Sequence, residues 1–209
     1  MRPRLLDLFC GAGGAAMGYH RAGFDVIGVD IASQRHYPFG FVRSDAMTFP
    51  LDGFDAIHAS PPCQAYAKVT SWRGAQGDHQ DLLPAVRRRL LRWGGPWIIE
   101  NVPEAPIRPD YLLCGTQFGL PIRRHRAFET SGWHPYALMP PCNCRRPDLL
   151  PFMHKGERAF ADAMGCKWMT NREAREAIPP AYTEHIGIQL MAALSEPSAF
   201  RDYARRTGW

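Results

Sequence analysis

Short apolar runs alternate with stretches of helical period along the first half of the chain, and most of the runs break at small or acidic residues. Residues 4–9 (RLLDLF) form such a run and break into GAGGAAMG, after which small residues lead a helix-compatible stretch to Gly23. That pattern predicts a buried strand, a tight turn and a helix. Further buried strands are predicted at 26–29, around 41–42, at 56–59 and at 97–99, with a helix over 80–93 before the last. Strands alternating with helices imply an α/β fold with a doubly wound, mostly parallel sheet.

From about Pro121 the periodicity fades. RRHRAFET reads as one more strand, whereas residues 131–169 are rich in Pro, Cys, Arg and Trp and follow neither period, as expected of an irregular insertion. Order returns in TNREAREAIPPAYTEHIGIQLMAAL. Thr170 suits the cap of a short helix, Pro179 and Pro180 stop it, and a second helix is predicted over 183–194. The division expected is a catalytic domain made of 1–130 and 170–209, interrupted by 131–169.

Composition narrows this only in places. A chain of 209 residues with 45% hydrophobic content can bury one proper core. The net charge of +5 and pI near 9.0 come almost wholly from arginine, since Lys68, Lys155 and Lys167 are the only lysines. Arginine forks bind phosphates well, so the balance tilts slightly toward nucleic acid, although small-molecule enzymes carry similar excesses. No apolar run approaches the roughly 20 residues of a membrane span, and the N-terminus lacks a signal-peptide pattern. A cytoplasmic protein without a membrane partner is expected. The six cysteines, Cys10, Cys63, Cys114, Cys142, Cys144 and Cys166, then point to free thiols, a catalytic thiol or a metal site before disulfides.

Four clusters carry chemistry. In Asp7-Leu8-Phe9-Cys10-Gly11-Ala12-Gly13-Gly14, glycines let backbone approach a ligand, although a glycine-rich turn can equally be only a tight connection. Asp30 ends the second strand and Asp45 follows the third, so both acids should line the crevice at the strand ends, where ribose hydroxyls are bound. The absence of a Walker lysine and of GxGxxG spacing favours S-adenosylmethionine over ATP or NAD. In Ser60-Pro61-Pro62-Cys63-Gln64 two prolines fix the backbone before a cysteine at the crevice edge, as a held nucleophile requires. Glu100-Asn101-Val102-Pro103 puts an acid at the end of the next strand, near Cys63 if the two strands are neighbours. In Arg123-Arg124-His125-Arg126, alternation along an extended segment would point Arg124 and Arg126 to one side.

Taken in order, DLFCGAGG, GVD, SDA, SPPCQ, ENVP, RRHR and TNREAREAIP resemble the cytosine-5 DNA methyltransferase family, from residue 4 to about 194. The resemblance implies the Rossmann-like fold of S-adenosylmethionine-dependent methyltransferases. It also implies methyl transfer to carbon 5 of a cytosine flipped out of double-stranded DNA. Cys63 matches the nucleophile that adds to carbon 6, Glu100 the acid at ring N3, and Arg126 with Arg124 the groups that orient the base and favour the thiolate. Phe9, Gly11 and Gly13 would contact the cofactor, Asp30 the ribose and Asp45 the adenine amine. Ile31, Ala46 and Pro62 complete that side, and Pro61, Gln64 and Asn101 the substrate side. Residues 65–80, with Tyr66, Lys68, Trp72 and Arg73, are the expected closing loop.

Departures from the family pattern are informative. Residues 131–169 are too few for the usual recognition region, so Arg145, Arg146, Lys155 and Arg158 would read one or two base pairs, or a partner protein would supply specificity. Ile122 stands where glutamine is usual, Ala67 replaces a serine, Asn171 replaces the usual residue before Arg172, and the asparagine after Ile186-Gly187 is missing. No metal is required by the chemistry. Cys142 and Cys144, with Cys166 and with Cys114, His134 or His154 within choice, are a thin zinc signal. The family's tRNA-methylating branch is the nearest alternative, followed by a catalytically idle nucleic-acid-binding homologue; intact Cys63, Glu100 and Arg126 argue against the latter.

Overall fold

The computed structural model describes residues 1–67, 79–136, 139–150 and 158–196. Strands β1 (Arg4–Leu8), β2 (Asp25–Asp30), β3 (Gly40–Arg43), β4 (Ala56–Ala59), β5 (Trp97–Asn101), β6 (Tyr111–Leu113) and β7 (Arg126–Ser131) form a seven-stranded sheet in the order β3-β2-β1-β4-β5-β7-β6. The first five are mutually parallel; β7 runs antiparallel to both β5 and β6. Among the described residues there are also helices α1 (Gly14–Arg21), α2 (Leu83–Trp93), α3 (Ala159–Ala163), α4 (Asn171–Glu176) and α5 (Pro180–Ser195), and a 3-10 turn over Gly115–Phe118. This is a doubly wound, Rossmann-like arrangement, with an antiparallel strand inserted next to the edge.

Adjacent residues of β1 serve opposite faces, as the two-residue period demands. Leu5 joins Val26, Ala56, Ile98 and Phe128 under α1 and α5, whereas Leu6 and Leu8 join Val29, Ile57, Trp97 and Ile99 under α2. Because both faces are covered, β4 and β5 are buried at every position, which is why their sequences are mainly apolar, with His58 and the strand-end Glu100 and Asn101 as the polar members. From α5, Tyr182, Ile186 and Leu190 are fully buried. At about 1.5–3 kcal/mol for a fully buried apolar side chain, the contact of α5 with α1 is a main source of stability. It needs Gly18, because a Cβ there would lie 2.1 Å from the Thr183 hydroxyl and 2.2 Å from the Pro180 carbonyl.

Several boundaries differ from expectation. The helix expected over 80–93 begins at Leu83, after Asp81 has accepted the Leu83 N–H and with a proline in the first turn. The last helix begins at Pro180 and not at 183, since a proline in the first turn has no hydrogen bond to lose. Thr170 caps α4 as read: its hydroxyl accepts from Glu173 N–H at 3.3 Å, and the Glu173 carboxylate accepts from Thr170 N–H at 2.7 Å.

Candidate active site

Register brings the site together. Leu8 of β1 stands opposite both Val29 of β2 and Ala59 of β4, and Ala59 stands opposite Ile99 of β5. One residue further along, Asp30, Phe9, Ser60 and Glu100 therefore leave the sheet side by side at the C-terminal edge. The chain turns outward one way from β1 to β2 and the other way from β4 to β5, so the crevice opens at the switch point. Phe9 takes a left-handed backbone (φ 59°), the one non-glycine residue to do so among those described. That conformation costs a bulky residue about 1–2 kcal/mol and bends the chain sharply off the strand into the glycine turn.

On the β1–β3 side, the Asp30 carboxylate accepts from the backbone N–H of Gly11 at 3.0 Å and of Ala32 at 2.9 Å. It thus fastens the glycine turn to β2, and each oxygen keeps acceptor capacity for a further donor. Gly11 has φ 48° and a Cβ there would meet no atom within 4 Å, so the turn's backbone borders open space. Gly13 (φ 84°) is closed in by Tyr37 and Pro38. Ile31 is 72% exposed just beyond β2, an apolar side chain left in water at the crevice mouth. Asp45 accepts from the Met47 N–H at 2.8 Å and orders the turn after β3; the neighbouring Ala46 is buried and Pro62 is exposed. An open glycine turn, a strand-end carboxylate and a bare apolar side chain fit a nucleoside with an anionic or zwitterionic tail.

On the β4–β5–β7 side, Arg126 meets Glu100 with Nε to Oε1 at 2.9 Å, both side chains being largely buried. The Asn101 amide donates to the Pro61 carbonyl at 3.1 Å while its oxygen accepts from Val102 N–H at 2.9 Å. Asn101 is buried, so its polar groups tie β5 to the proline turn and act as a positioning element. Pro61 is buried, Cys63 half-buried and Gln64 exposed. The Cys63 carbonyl accepts from both Tyr66 and Ala67 N–H at 2.9 Å, which turns the chain just after the thiol.

Charges around Cys63 oppose one another. Burial pushes the thiol up; Arg126 and then Arg124 pull it down, while Glu100 reinforces the rise. Glu100 is itself raised, by burial first, with Arg126 the main opposition. Cys10 is raised far above the usual thiol range by burial, and Cys166 is pushed up to about 12 by the same cause. Of these three thiols, Cys63 alone is both accessible and beside a guanidinium pair.

Arg124 and Arg126 both act on Cys63 and Glu100, but their head groups bond differently. Arg124 is buried and donates to the carbonyls of Arg175 (2.7 Å) and Ala177 (2.6 Å), so its head group holds the C-terminal end of α4. Of the two guanidinium groups, that of Arg126 pairs with the Glu100 carboxylate.

A buried polar chain lies behind Glu100. The Tyr19 hydroxyl stands 3.0 Å from His58 Nδ1, and His58 Nε2 stands 2.8 Å from the Ser60 hydroxyl, which reaches the Glu100 carboxylate. Every proton is used if Tyr19 donates to Nδ1, Nε2–H donates to Ser60, and Ser60 donates to Glu100. Burial holds His58 at about 3, far below 6.5. The unfolded chain therefore binds an extra proton between those values. His58 contributes stability that is complete above pH 6.5 and is lost as pH falls toward 3, at about 1.4 kcal/mol per pH unit. Urea unfolding of His58→Gln between pH 6.5 and 4.5 should show a pH slope shallower than the parent's by about that amount; an unchanged slope would contradict the neutral buried imidazole.

The irregular insertion meets the site from the side. Arg145 is exposed, Arg146 pairs with Asp148, and Arg158 donates to the Lys167 carbonyl. Trp168 Nε1 donates to the Ala12 carbonyl at 2.9 Å, and Ala12 shares a core with Ile122, Phe160, Met164 and Cys166. The glycine turn is thus buttressed by residues 160–169, which nothing in the sequence pattern singled out. Cys142 and Cys144 lie beside Cys114 and His125, away from Cys166, whose thiol donates to the Met164 carbonyl. Lys68, Trp72 and Arg73 of the expected closing loop, and His154 and Lys155, lie outside the described residues.

Residues 3–106, which contain the glycine turn, Asp30, Asp45, Cys63 and Glu100, match the model of the C-5 cytosine-specific DNA methylases. That part of the chain carries the C-5 cytosine-specific DNA methylase domain. A curated methylase relative, the Type II methyltransferase M.FnuDI of Fusobacterium nucleatum, is 31% identical over 81 residues, which is 34% of this chain and 24% of the relative. The chain thus spans about a quarter of that relative's length. Among solved structures, the chain is similar to a putative DNA modification methyltransferase encoded within an E. coli prophage (21% identity, TM-score 0.46, 60% of this chain and 45% of that one). It is also similar to Spodoptera frugiperda DNMT2 (20% identity, TM-score 0.46, 61% and 49%). No helix among the described residues is long and apolar enough to cross a membrane.

Proposed function

We propose that the protein transfers a methyl group from S-adenosylmethionine to carbon 5 of cytosine in double-stranded DNA, through a covalent adduct of Cys63 with carbon 6. The observation that carries this reading is an accessible thiol within electrostatic reach of the buried Glu100–Arg126 pair, at the mouth of a crevice with a glycine turn on its other side. Asp30, Gly11, Gly13, Phe9, Ile31, Asp45, Ala46 and Pro62 would hold the cofactor, which supplies an electrophilic methyl when bound. A cytosine reaches Cys63 only when unstacked, at a cost of a few kcal/mol.

Carbon 5 of cytosine is too electron-poor to attack unaided. Addition of the Cys63 thiolate to carbon 6 pushes ring electrons toward N3, where Glu100 delivers a proton. Carbon 5 is then enamine-like and takes the methyl. Loss of its proton to solvent restores the double bond as Cys63 leaves, and N3 returns its proton to Glu100. Arg126 keeps Glu100 in place and stabilises the thiolate, and Arg124 and Asn101 brace the segments that carry these groups. With the short insertion, including Arg145 and Arg146, reading base edges, recognition is short or relaxed, or is supplied by a partner protein.

Duplexes carrying 5-fluorocytosine throughout test the reading, because fluorine blocks the last proton loss and traps the adduct. With methyl donor present, a denaturant-resistant complex mapping to Cys63 is expected. An adduct with tRNA alone would reassign the substrate, and no adduct on that sulfur would overturn the mechanism.

A further inference from the structure

We infer that Cys114, His125, Cys142 and Cys144 form a closed structural zinc site that fastens the irregular insertion to the strand carrying Arg126. The four side chains offer three sulfurs and one imidazole nitrogen within 4.8 Å of one another. Cys144 Sγ lies 3.5 Å from Cys114 Sγ and 3.4 Å from Cys142 Sγ, and His125 Nε2 lies 3.5 Å from Cys142 Sγ and 3.6 Å from Cys144 Sγ. A tetrahedral zinc with its usual bond lengths requires edges of about 3.8 Å between sulfurs and about 3.5 Å between sulfur and nitrogen. These four of the six edges match that polyhedron to within a few tenths of an ångström, and the other two lie within 4.8 Å. They are far longer than the roughly 2.05 Å of a disulfide.

Chemistry selects the metal. Thiolates are soft ligands, and a set of three with one imidazole suits zinc and leaves no coordination position open, so the role is structural, not hydrolytic. The need for it is local: residues 139–150 contain no helix or named strand, and their one ladder contact is the bridge between Ile122 and Leu150. Cys114 closes β6 and His125 directly precedes β7, so a metal would join two neighbouring strands to a segment with little core of its own. Within RRHR, the histidine between two working arginines thereby acquires a purpose that a basic run does not explain. Cys166 is no part of the set, being sealed in the core around Phe160 and Met164.

The inference is independent of the role given to Cys63. The full chain, produced with zinc in the medium and analysed for metal, should contain about one zinc per chain. Exchange for cobalt should give the intense visible bands and the thiolate-to-metal charge transfer of a tetrahedral site. Zinc content should fall at least about fivefold in Cys142→Ser and Cys144→Ser, since a tetrahedral site loses a ligand, and stay at the parental value in Cys166→Ala and Cys63→Ala. A parent that holds no zinc and gives no tetrahedral cobalt spectrum would overturn the site. So would zinc retained in both serine variants and lost with Cys166.

Discussion

Cys63→Ala is expected to lose methyl transfer by about 10⁴-fold or more while keeping its fold and its affinity for the methyl donor. The size follows from chemistry: without the thiolate, nothing in the crevice raises the electron density at carbon 5, and the remaining groups only bind and orient. The selectivity follows from geometry. Cys63 is half-buried on an outer turn, and its backbone is shaped by the preceding prolines and by the bonds its carbonyl accepts from Tyr66 and Ala67. The methyl donor's proposed seat lies across the crevice, at Asp30 and the glycine turn. Labelled methyl transfer checks the loss, and titration of the donor by calorimetry with thermal unfolding checks that fold and affinity are retained. Transfer within tenfold of the parent would remove Cys63 from the mechanism.

The central parallel strands β1, β4 and β5 are readable from the sequence because they are covered on both faces. LLDL, AIHA and WII are mainly apolar for that reason, Asp7 and His58 being the polar exceptions, and strand-end Asp30 and Glu100 then fall at the crevice by register alone. The antiparallel addition was less legible. β6 is three residues long with Leu112 exposed, too short to show a period, whereas β7 is read within RRHRAFET but its antiparallel direction is not. Phe9's left-handed backbone had no signal, since that conformation is normally announced by glycine.

Contacts between distant segments escaped for a different reason. His58 sits inside an apolar strand and Tyr19 inside a helix, 39 residues apart, and only the folded sheet and α1 bring their side chains together. The Trp168 bond to Ala12 spans 156 residues in the same way. His125 was read as part of a charge run because its partners come from a loop and another strand. Arg124 shows the limit of alternation: adjacency to Arg126 in an extended segment was legible, but not the carbonyls of Arg175 and Ala177 that take up its head group.

The charges facing Cys63 predict opposite pH behaviour for the two members of the buried pair. Arg126 is the largest influence holding the thiol down and Glu100 the one holding it up, apart from burial. Arg126→Ala should therefore move the pH dependence of Cys63 alkylation to higher pH. The move is smaller than the loss of the cation alone implies, because Glu100 without its partner protonates more readily and ceases to repel the thiolate. Glu100→Gln should move alkylation to lower pH, since the repelling charge is gone while Arg126 remains. Yet Glu100→Gln should lower methyl transfer by about 10²- to 10⁴-fold, because an amide cannot deliver a proton to N3. A more reactive thiol in a slower enzyme separates the proton donor from a residue that only packs. Iodoacetamide alkylation of Cys63 followed across pH by mass spectrometry, beside labelled transfer at each pH, reads both quantities on the same samples. Shifts in the same direction for the two variants would mean that the pair does not control the thiol in the way its geometry implies.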